Sequence, residues 1–260
     1  MYAILGPLSL VKDKKARDLF DRRMAQVRML LETEQPAVKM FRAVFNDERK
    51  AFSRLPVHLH PTTEAFKAAA GDRWAEGVAV IYLPDHAEKI LLVDASPDGP
   101  FKDEDLYPEA GVQYAESRLG AMPPWLRAAF HLYYEAGFKS HVTPGLFPPE
   151  MLKRAREVFA KTPAAFDDLV KKDEAGMAAL GDDGRIAAWG LFQYGLHGPD
   201  APTRNVFRAF LRDGVGAPDL NAVWEACLAR HKTETKKVFR TKDLDSGAKK
   251  FFRDMKEEKR

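Results

Sequence analysis

The sequence predicts an α+β fold, in which a small N-terminal sheet is followed by a largely helical remainder. Runs of β-branched and apolar residues typical of strands occur only ahead of Tyr107, whereas from Tyr107 onward apolar residues recur at every third or fourth position. Strands that come first and helices that come later are typical of α+β folds rather than of alternating α/β folds. The 260 residues, 45% hydrophobic and 30% charged, are enough to bury a sizeable core.

The N-terminal part of the chain carries helices among its strands. A long helix is predicted from Asp13 to Glu34, because apolar residues recur there with helical spacing until Gln35-Pro36 ends it. Pro61-Thr-Thr-Glu64 predicts the start of a short helix, which Gly71 ends. Two apolar runs flank the turn residues Pro84-Asp85-His86-Ala87 and predict a β-hairpin. The predicted strands are Ala3–Leu10, Leu55–His60, Glu76–Leu83 and Lys89–Asp94.

The second half of the chain is predicted to be helical almost throughout. A helix from Tyr107 to Leu119, with Pro108 in its first turn, and a helix from Trp125 to Ala136 precede a Pro- and Gly-rich stretch at Thr143–Pro149. This stretch predicts a sheet-containing lobe at residues 1–142 and a helical lobe at residues 143–260, which can also form one continuous domain. The later predicted helices are Glu150–Phe159, Ala164–Lys171, Asp183–Gly195, Thr203–Arg212, Leu220–Phe239 and Ser246 to the end.

Charge and cysteine content argue against several classes of function. The segment from His231 to Arg260 has 11 Lys and Arg against 6 Asp and Glu, a net of +5, so the rest of the +3 chain sums to about −2. A basic tail on a slightly acidic body argues against a nucleic-acid-binding protein. No apolar stretch approaches the roughly 18 residues of a membrane span. The single cysteine, Cys227, excludes an intramolecular disulfide and a cysteine-based metal site.

The N-terminus leaves the compartment of the chain open. Met1 to Leu10 is apolar but lacks the basic region that opens a signal peptide, so the sequence as it stands predicts a soluble cytoplasmic protein. A secreted or periplasmic protein whose leader had been removed would carry the same N-terminus.

Three passages occur in the order expected for a known family. They are Pro56–His60 with the hairpin runs Gly77–Tyr82 and Lys89–Leu92, then Pro123-Pro-Trp-Leu126 with Tyr133, Tyr134 and Glu135, and then Ile186–Tyr194 with Val206–Gly214. Together they resemble a bacterial family of gluzincin-type, metallopeptidase-like proteins. The resemblance implies a zincin-like fold, in which a small mixed sheet with an edge hairpin and central helices precedes a helical lobe.

The same resemblance implies that this chain has lost the zinc site. Enzymes of that type bind zinc through His-Glu-x-x-His on one helix and a Glu on the next, with the first Glu as general base. Val112 and Glu116 stand at the two histidine positions, Gln113 at the base and Ala128 at the third ligand. Valine and alanine cannot bind a metal, and glutamine cannot take a proton from water. We therefore expect neither zinc nor another cofactor, and no peptidase activity.

Other polar residues remain candidates for a binding site. Glu109, Gln113 and Glu116 form one stripe of their helix, which lines the cleft in a zincin-like fold. His131 and Glu135 lie four residues apart on the next helix, beside Tyr134; they form either an ordinary helical pair or, with Glu116, a rebuilt metal site.

A pair of histidines lies outside this stripe. His58 and His60 share one side of a predicted strand, as either a metal-binding pair or a solvated strand face.

The leading functional prediction is a non-catalytic peptidase-like domain that binds a protein or peptide. Its cleft is expected between the run Lys89–Asp94, taken as the edge strand, and the helix Tyr107–Leu119. One alternative is a metal-dependent hydrolase that uses the rebuilt site. Another is an assembly module that acts through the basic tail, whose phenylalanines are Phe239, Phe251 and Phe252.

Overall fold

The computed structural model describes residues 2–6, 14–32, 55–139, 148–161, 166–214, 217–236, 238 and 240–255. The end of the predicted first strand at Pro7–Leu10, the predicted helix end at Gln35-Pro36 and the tail residue Phe239 lie outside this range. The strands are β1 Tyr2–Leu5, β2 Leu55–His60, β3 Val80–Leu83 and β4 Ile90–Asp94. The α-helices are α1 Lys14–Glu32, α2 Thr63–Ala70, α3 Asp103–Leu119, α4 Pro124–Lys139, α5 Pro149–Ala160, α6 Phe166–Leu169, α7 Glu174–His197, α8 Ala201–Asp213, α9 Leu220–Thr235 and α10 Thr241–Asp254.

The described strands form one mixed sheet in the order β1-β2-β4-β3. β1, β2 and β4 run parallel, and β3 pairs antiparallel with β4, which confirms the predicted hairpin and the α+β class. The prediction that the run Lys89–Asp94 forms the edge was wrong. β4 is buried along its whole length between β2 and β3, as its unbroken apolar sequence suits, and β3 takes the edge.

The two faces of the sheet pack against different helices. Val57, Leu59, Leu91 and Val93 point into the main apolar core, which includes residues of α3 and α4. Alternate residues of the same strands point to the other face, where α2 covers a smaller cluster. The smaller cluster comprises Phe66, Ala70, Ile81, Ile90 and Leu92.

Helix α3 begins at Asp103, four residues earlier than predicted, because the Asp105 carboxylate accepts the backbone N–H of Lys102 at 3.0 Å and closes the first turn. Pro108 therefore lies inside the helix rather than in its first turn. Gly111 lets α4 approach closely, since a Cβ there would lie 2.1 Å from a ring carbon of Tyr134. This contact fixes which face of α3 meets α4.

The helical part is built around α7. Trp189 and Phe192 of this helix are fully buried, and Phe192 lies 4.7 Å from Phe130 of α4 between ring centroids. One apolar cluster therefore includes residues from both sides of the predicted lobe boundary. The helix starts at Glu174, ahead of the predicted Asp183, and it kinks at Gly181, whose φ of +57° suits glycine.

The basic C-terminal segment contributes to the core. α9 ends at Thr235, earlier than predicted, and Lys236 takes a left-handed conformation there. α10 starts at Thr241 rather than at Ser246 and buries Leu244, Ala248 and Phe252, and the Phe252 ring stacks on Phe159 at 5.1 Å. Two of the three tail phenylalanines, Phe251 and Phe252, thus pack inward. None of the described helices is long and apolar enough to cross a membrane.

Candidate functional site

A cleft of about 290 Å³ lies where the edge of the sheet meets α3 and α4. One wall is the backbone that leads into β3, and the opposite wall is formed by the first turns of α3 and the middle of α4. The lining residues are Gly77, Val78, Ala79 and Val80 from the strand side, Glu104, Asp105, Pro108 and Glu109 from α3, and His131 and Glu135 from α4.

The cleft is acidic. Glu104, Asp105, Glu109 and Glu135 place four carboxyl groups on its helical walls, against the single imidazole of His131. Among the described residues that line it there is no lysine or arginine. Burial raises the pKa of Asp105, although its hydrogen bond from the Lys102 backbone opposes this shift. The cleft therefore suits a cationic rather than an anionic ligand.

Glu109 connects the edge strand to both helices. Its Oε2 accepts the backbone N–H of Tyr82 at 3.2 Å, and its Oε1 lies 3.3 Å from Nε2 of His131. The Arg185 guanidinium lies 3.5 Å from Nδ1 of the same imidazole. The His131 ring thus lies between the Arg185 guanidinium and the Glu109 carboxylate.

Gln113 and Glu116 point away from the cleft. The Gln113 amide donates to the carbonyl oxygens of Pro56 at 3.0 Å and Lys89 at 2.8 Å, which ties α3 to the sheet. Glu116 is 2% exposed and accepts a hydrogen bond from the Tyr82 hydroxyl at 2.7 Å and one from Nε of Arg127 at 3.0 Å. Neither side chain is among those that line the cleft.

The residues that the resemblance aligns with a zinc site do not fit a metal. Val112 is buried in the apolar core, Ala128 packs against it, and Glu116 is already neutralised by Arg127. Within the described part of the chain, no group of three or more His, Cys, Asp or Glu residues could hold a metal ion. The predicted rebuilt set is also not assembled, since His131 and Glu135 line the cleft and Glu116 does not.

The other predicted site residues lie outside the cleft and pack against other parts of the protein. Tyr134 is 3% exposed and packs on Gly111 between α3 and α4. His58 and His60 lie on the sheet face covered by α2, where their Nε2 atoms are buried and have no hydrogen-bond partner among the described residues. Burial lowers the pKa of His60, and the nearby His58 adds to this shift while Asp94 opposes it.

Helical and strand periodicity did not predict that the first turn of α3 and the segment Gly77–Val80 line the cleft. Glu104 and Asp105 lie ahead of the predicted helix because Pro108 favours a position in the first turn. The run Asp103-Glu104-Asp105 carried the missing signal, since acidic residues favour the first turn of a helix.

Comparison of the chain with models of known protein families, with curated proteins and with solved structures finds no match. The resemblance to gluzincin-type proteins thus rests on the sequence motifs alone.

Proposed function

We propose that this chain is a non-catalytic, metallopeptidase-like domain that binds an extended basic segment of a peptide or protein. The binding site is the cleft between β3 and the helices α3 and α4. The observation that carries this proposal is the pairing of two walls: the backbone of an edge strand on one side and four carboxyl groups on the other.

The edge strand supplies the hydrogen-bonding wall. In an antiparallel pair, the backbone groups of alternate residues point toward and away from the partner strand. The N–H of Tyr82 donates to Glu109 rather than to β4, so it points away from β4. Val80, two residues earlier, therefore points its backbone groups the same way, and it lines the cleft. An extended peptide can add to β3 there by β-augmentation.

The carboxyl groups supply the specificity. A lysine or arginine side chain that projects from such a peptide toward α3 and α4 meets Glu104, Asp105 and Glu135. Each exposed ion pair contributes only about 0.2–1 kcal/mol, so several must converge to select a basic segment. The same argument predicts that binding weakens as the salt concentration rises.

The absence of catalysis follows from the residues that replace the zinc site. Metallopeptidases of the gluzincin type activate water through the metal, and Val112 and Ala128 offer it no ligand atoms. Glu109 lines the cleft but already holds the edge strand and His131. The cleft therefore binds without cleaving the segment.

The proposal is tested with two labelled peptides, acetyl-Thr-Val-Lys-Val-Thr-amide and the same peptide with Glu in place of Lys. Fluorescence anisotropy should show binding of the lysine peptide only. The double variant Glu104→Gln/Glu135→Gln should weaken it by about tenfold, as expected from the loss of two ion pairs.

A matched control is Glu88→Gln, which removes an exposed carboxylate in the hairpin turn outside the cleft. This variant should bind the lysine peptide as the wild type does. Equal binding of both peptides, or no change in the double variant, would exclude the proposed site.

A further inference from the structure

The contact between Glu109 and Tyr82 lies on the strand edge that the proposed peptide would use. The Glu109 carboxylate accepts the one backbone N–H that Tyr82 directs away from β4. An incoming strand needs that same donor to continue its ladder beyond Val80. Two acceptors cannot both take this N–H at full strength, so Glu109 competes with the peptide at Tyr82.

Tyr82 is held by contacts of both its backbone and its side chain. Its backbone binds Glu109, and its hydroxyl donates to Glu116 at 2.7 Å in the buried pair with Arg127. The strand is therefore anchored to α3 at two points about two helical turns apart, and it cannot slide along the helix without breaking both contacts.

Glu109 is itself held in place. His131 of α4 lies 3.3 Å from its Oε1, and Arg185 of α7 lies 3.5 Å from the opposite ring nitrogen of His131. The side chains of Glu109 and His131 are 27% and 28% exposed, so both remain in reach of a ligand in the cleft. Three elements thus fix the carboxylate at the end of the open strand edge.

We infer that Glu109 is a specificity-determining residue that ends the peptide-binding stretch of β3 at Tyr82. This inference rests on the proposed function. A bound segment pairs with β3 only as far as Val80. Its next residue must turn away from β3, because the Glu109 carboxylate occupies the edge at Tyr82. The cleft therefore selects a short extended segment rather than a long strand.

The inference is tested with a series of peptides and two variants. The lysine peptide is compared with versions lengthened by Thr-Val at its N-terminus or at its C-terminus. In the wild type, lengthening at the end that reaches Tyr82 should not improve the dissociation constant. In Glu109→Ala the same extension should improve it by about fivefold for each backbone hydrogen bond gained. Glu88→Gln, which removes an exposed carboxylate outside the cleft, is the matched control and should respond to the extension as the wild type does.

Hydrogen exchange at the Tyr82 amide gives a readout that needs no peptide. It should be slow in the wild type, faster in Glu109→Ala, and slow again when that variant binds the longer peptide. Two results would each overturn the inference: Tyr82 exchange that is unchanged in Glu109→Ala, or an equal gain in affinity from the extension in both proteins. Failure of the wild type to bind the lysine peptide at all would instead overturn the proposed function.

Discussion

Arg127 donates from Nε to Oε1 of Glu116 across 3.0 Å, and this pair joins α4 to α3 at a carboxylate that is only 2% exposed. The resemblance to gluzincin-type proteins places a zinc ligand at Glu116, and the chain instead places a guanidinium against it. Burial raises the pKa of Tyr82, and its hydrogen bond to Glu116 adds to this shift, so the hydroxyl stays protonated and donates.

Removal of Arg127 should destabilise the protein strongly, because it leaves the charge of Glu116 buried and unpaired. We expect Arg127→Met to lower the free energy of unfolding by roughly 3 kcal/mol. Glu116→Gln should cost less, since an amide keeps an acceptor for Tyr82 and buries no charge. Urea denaturation of the single and double variants measures the coupling between the two residues.

The other carboxylate partner of Arg127 provides the control for this experiment. Glu174 is 71% exposed, so Glu174→Gln should change the free energy of unfolding by less than about 1 kcal/mol. A loss in Arg127→Met as small as that of Glu174→Gln would show that the buried pair does not stabilise the junction of α3 and α4.

Stability should fall between neutral and mildly acidic pH because of His197. Its ring stacks on Tyr133, with Nε2 2.8 Å from the Tyr133 hydroxyl, and burial lowers its pKa from 6.5 to about 4, with Arg208 adding to the shift. The unfolded state therefore binds a proton at a pH where the folded state does not. The stabilisation is complete above pH 6.5 and is lost as the pH falls toward 4, by at most roughly 3 kcal/mol.

The measurement is the urea midpoint of the wild type and of His197→Phe across this pH range. The phenylalanine keeps a ring against Tyr133 but cannot take a proton, so the pH dependence should be shallower in the variant. Parallel pH profiles for the two proteins would show that His197 does not contribute.

The described part of the basic tail should act as a structural element whose charges are dispensable for folding. Phe252→Ala removes a fully buried ring from between Phe159 and Trp189 and should cost about 3–5 kcal/mol. Lys249→Glu/Lys250→Glu changes two exposed side chains and should alter stability by less than about 0.5 kcal/mol.

These two tail variants separate folding from recognition. Deletion of residues 241–260 would remove Leu244, Ala248 and Phe252 from the core, so it cannot test the assembly-module alternative cleanly. The charge-reversal variant keeps the core and tests that alternative. A loss of binding to the lysine peptide in this variant would count against the cleft as the site.

The protein should purify with well under one equivalent of zinc after removal of any affinity tag. Val112 and Ala128 provide no ligand atoms, and Glu116 is engaged by Arg127. Elemental analysis by plasma mass spectrometry checks this, and added zinc should leave the thermal midpoint unchanged. A bound equivalent that survives dialysis would mean that other residues form a metal site.

Apolar runs on either side of turn residues were sufficient to predict the hairpin, and helical periodicity predicted most helices. These signals could not predict which strand takes the edge, since Lys89–Asp94 and Glu76–Leu83 are similarly apolar and only their pairing partners differ. They also missed the kink at Gly181, which interrupts an otherwise helical pattern with a positive φ.

The cleft was predicted in part. The stripe of Glu109, Gln113 and Glu116 follows from helical spacing, but its orientation depends on the close contact between Gly111 and Tyr134. That contact places Glu109 in the cleft, sends the Gln113 amide to the sheet carbonyls and places Glu116 against Arg127. Which neighbouring element each of these side chains contacts depends on tertiary packing, and tertiary packing leaves no periodic signal in a single sequence.

The most direct test of the central claim is to locate the binding site on the protein by nuclear magnetic resonance. Titration of the isotope-labelled protein with the lysine peptide should shift the backbone amides of Gly77–Val80 and Asp105, which line the cleft. It should leave those of Lys249 and Lys250 on α10 unmoved. Shifts confined to α10, or no shifts at saturating peptide, would contradict the account and remove the acidic cleft as the functional site.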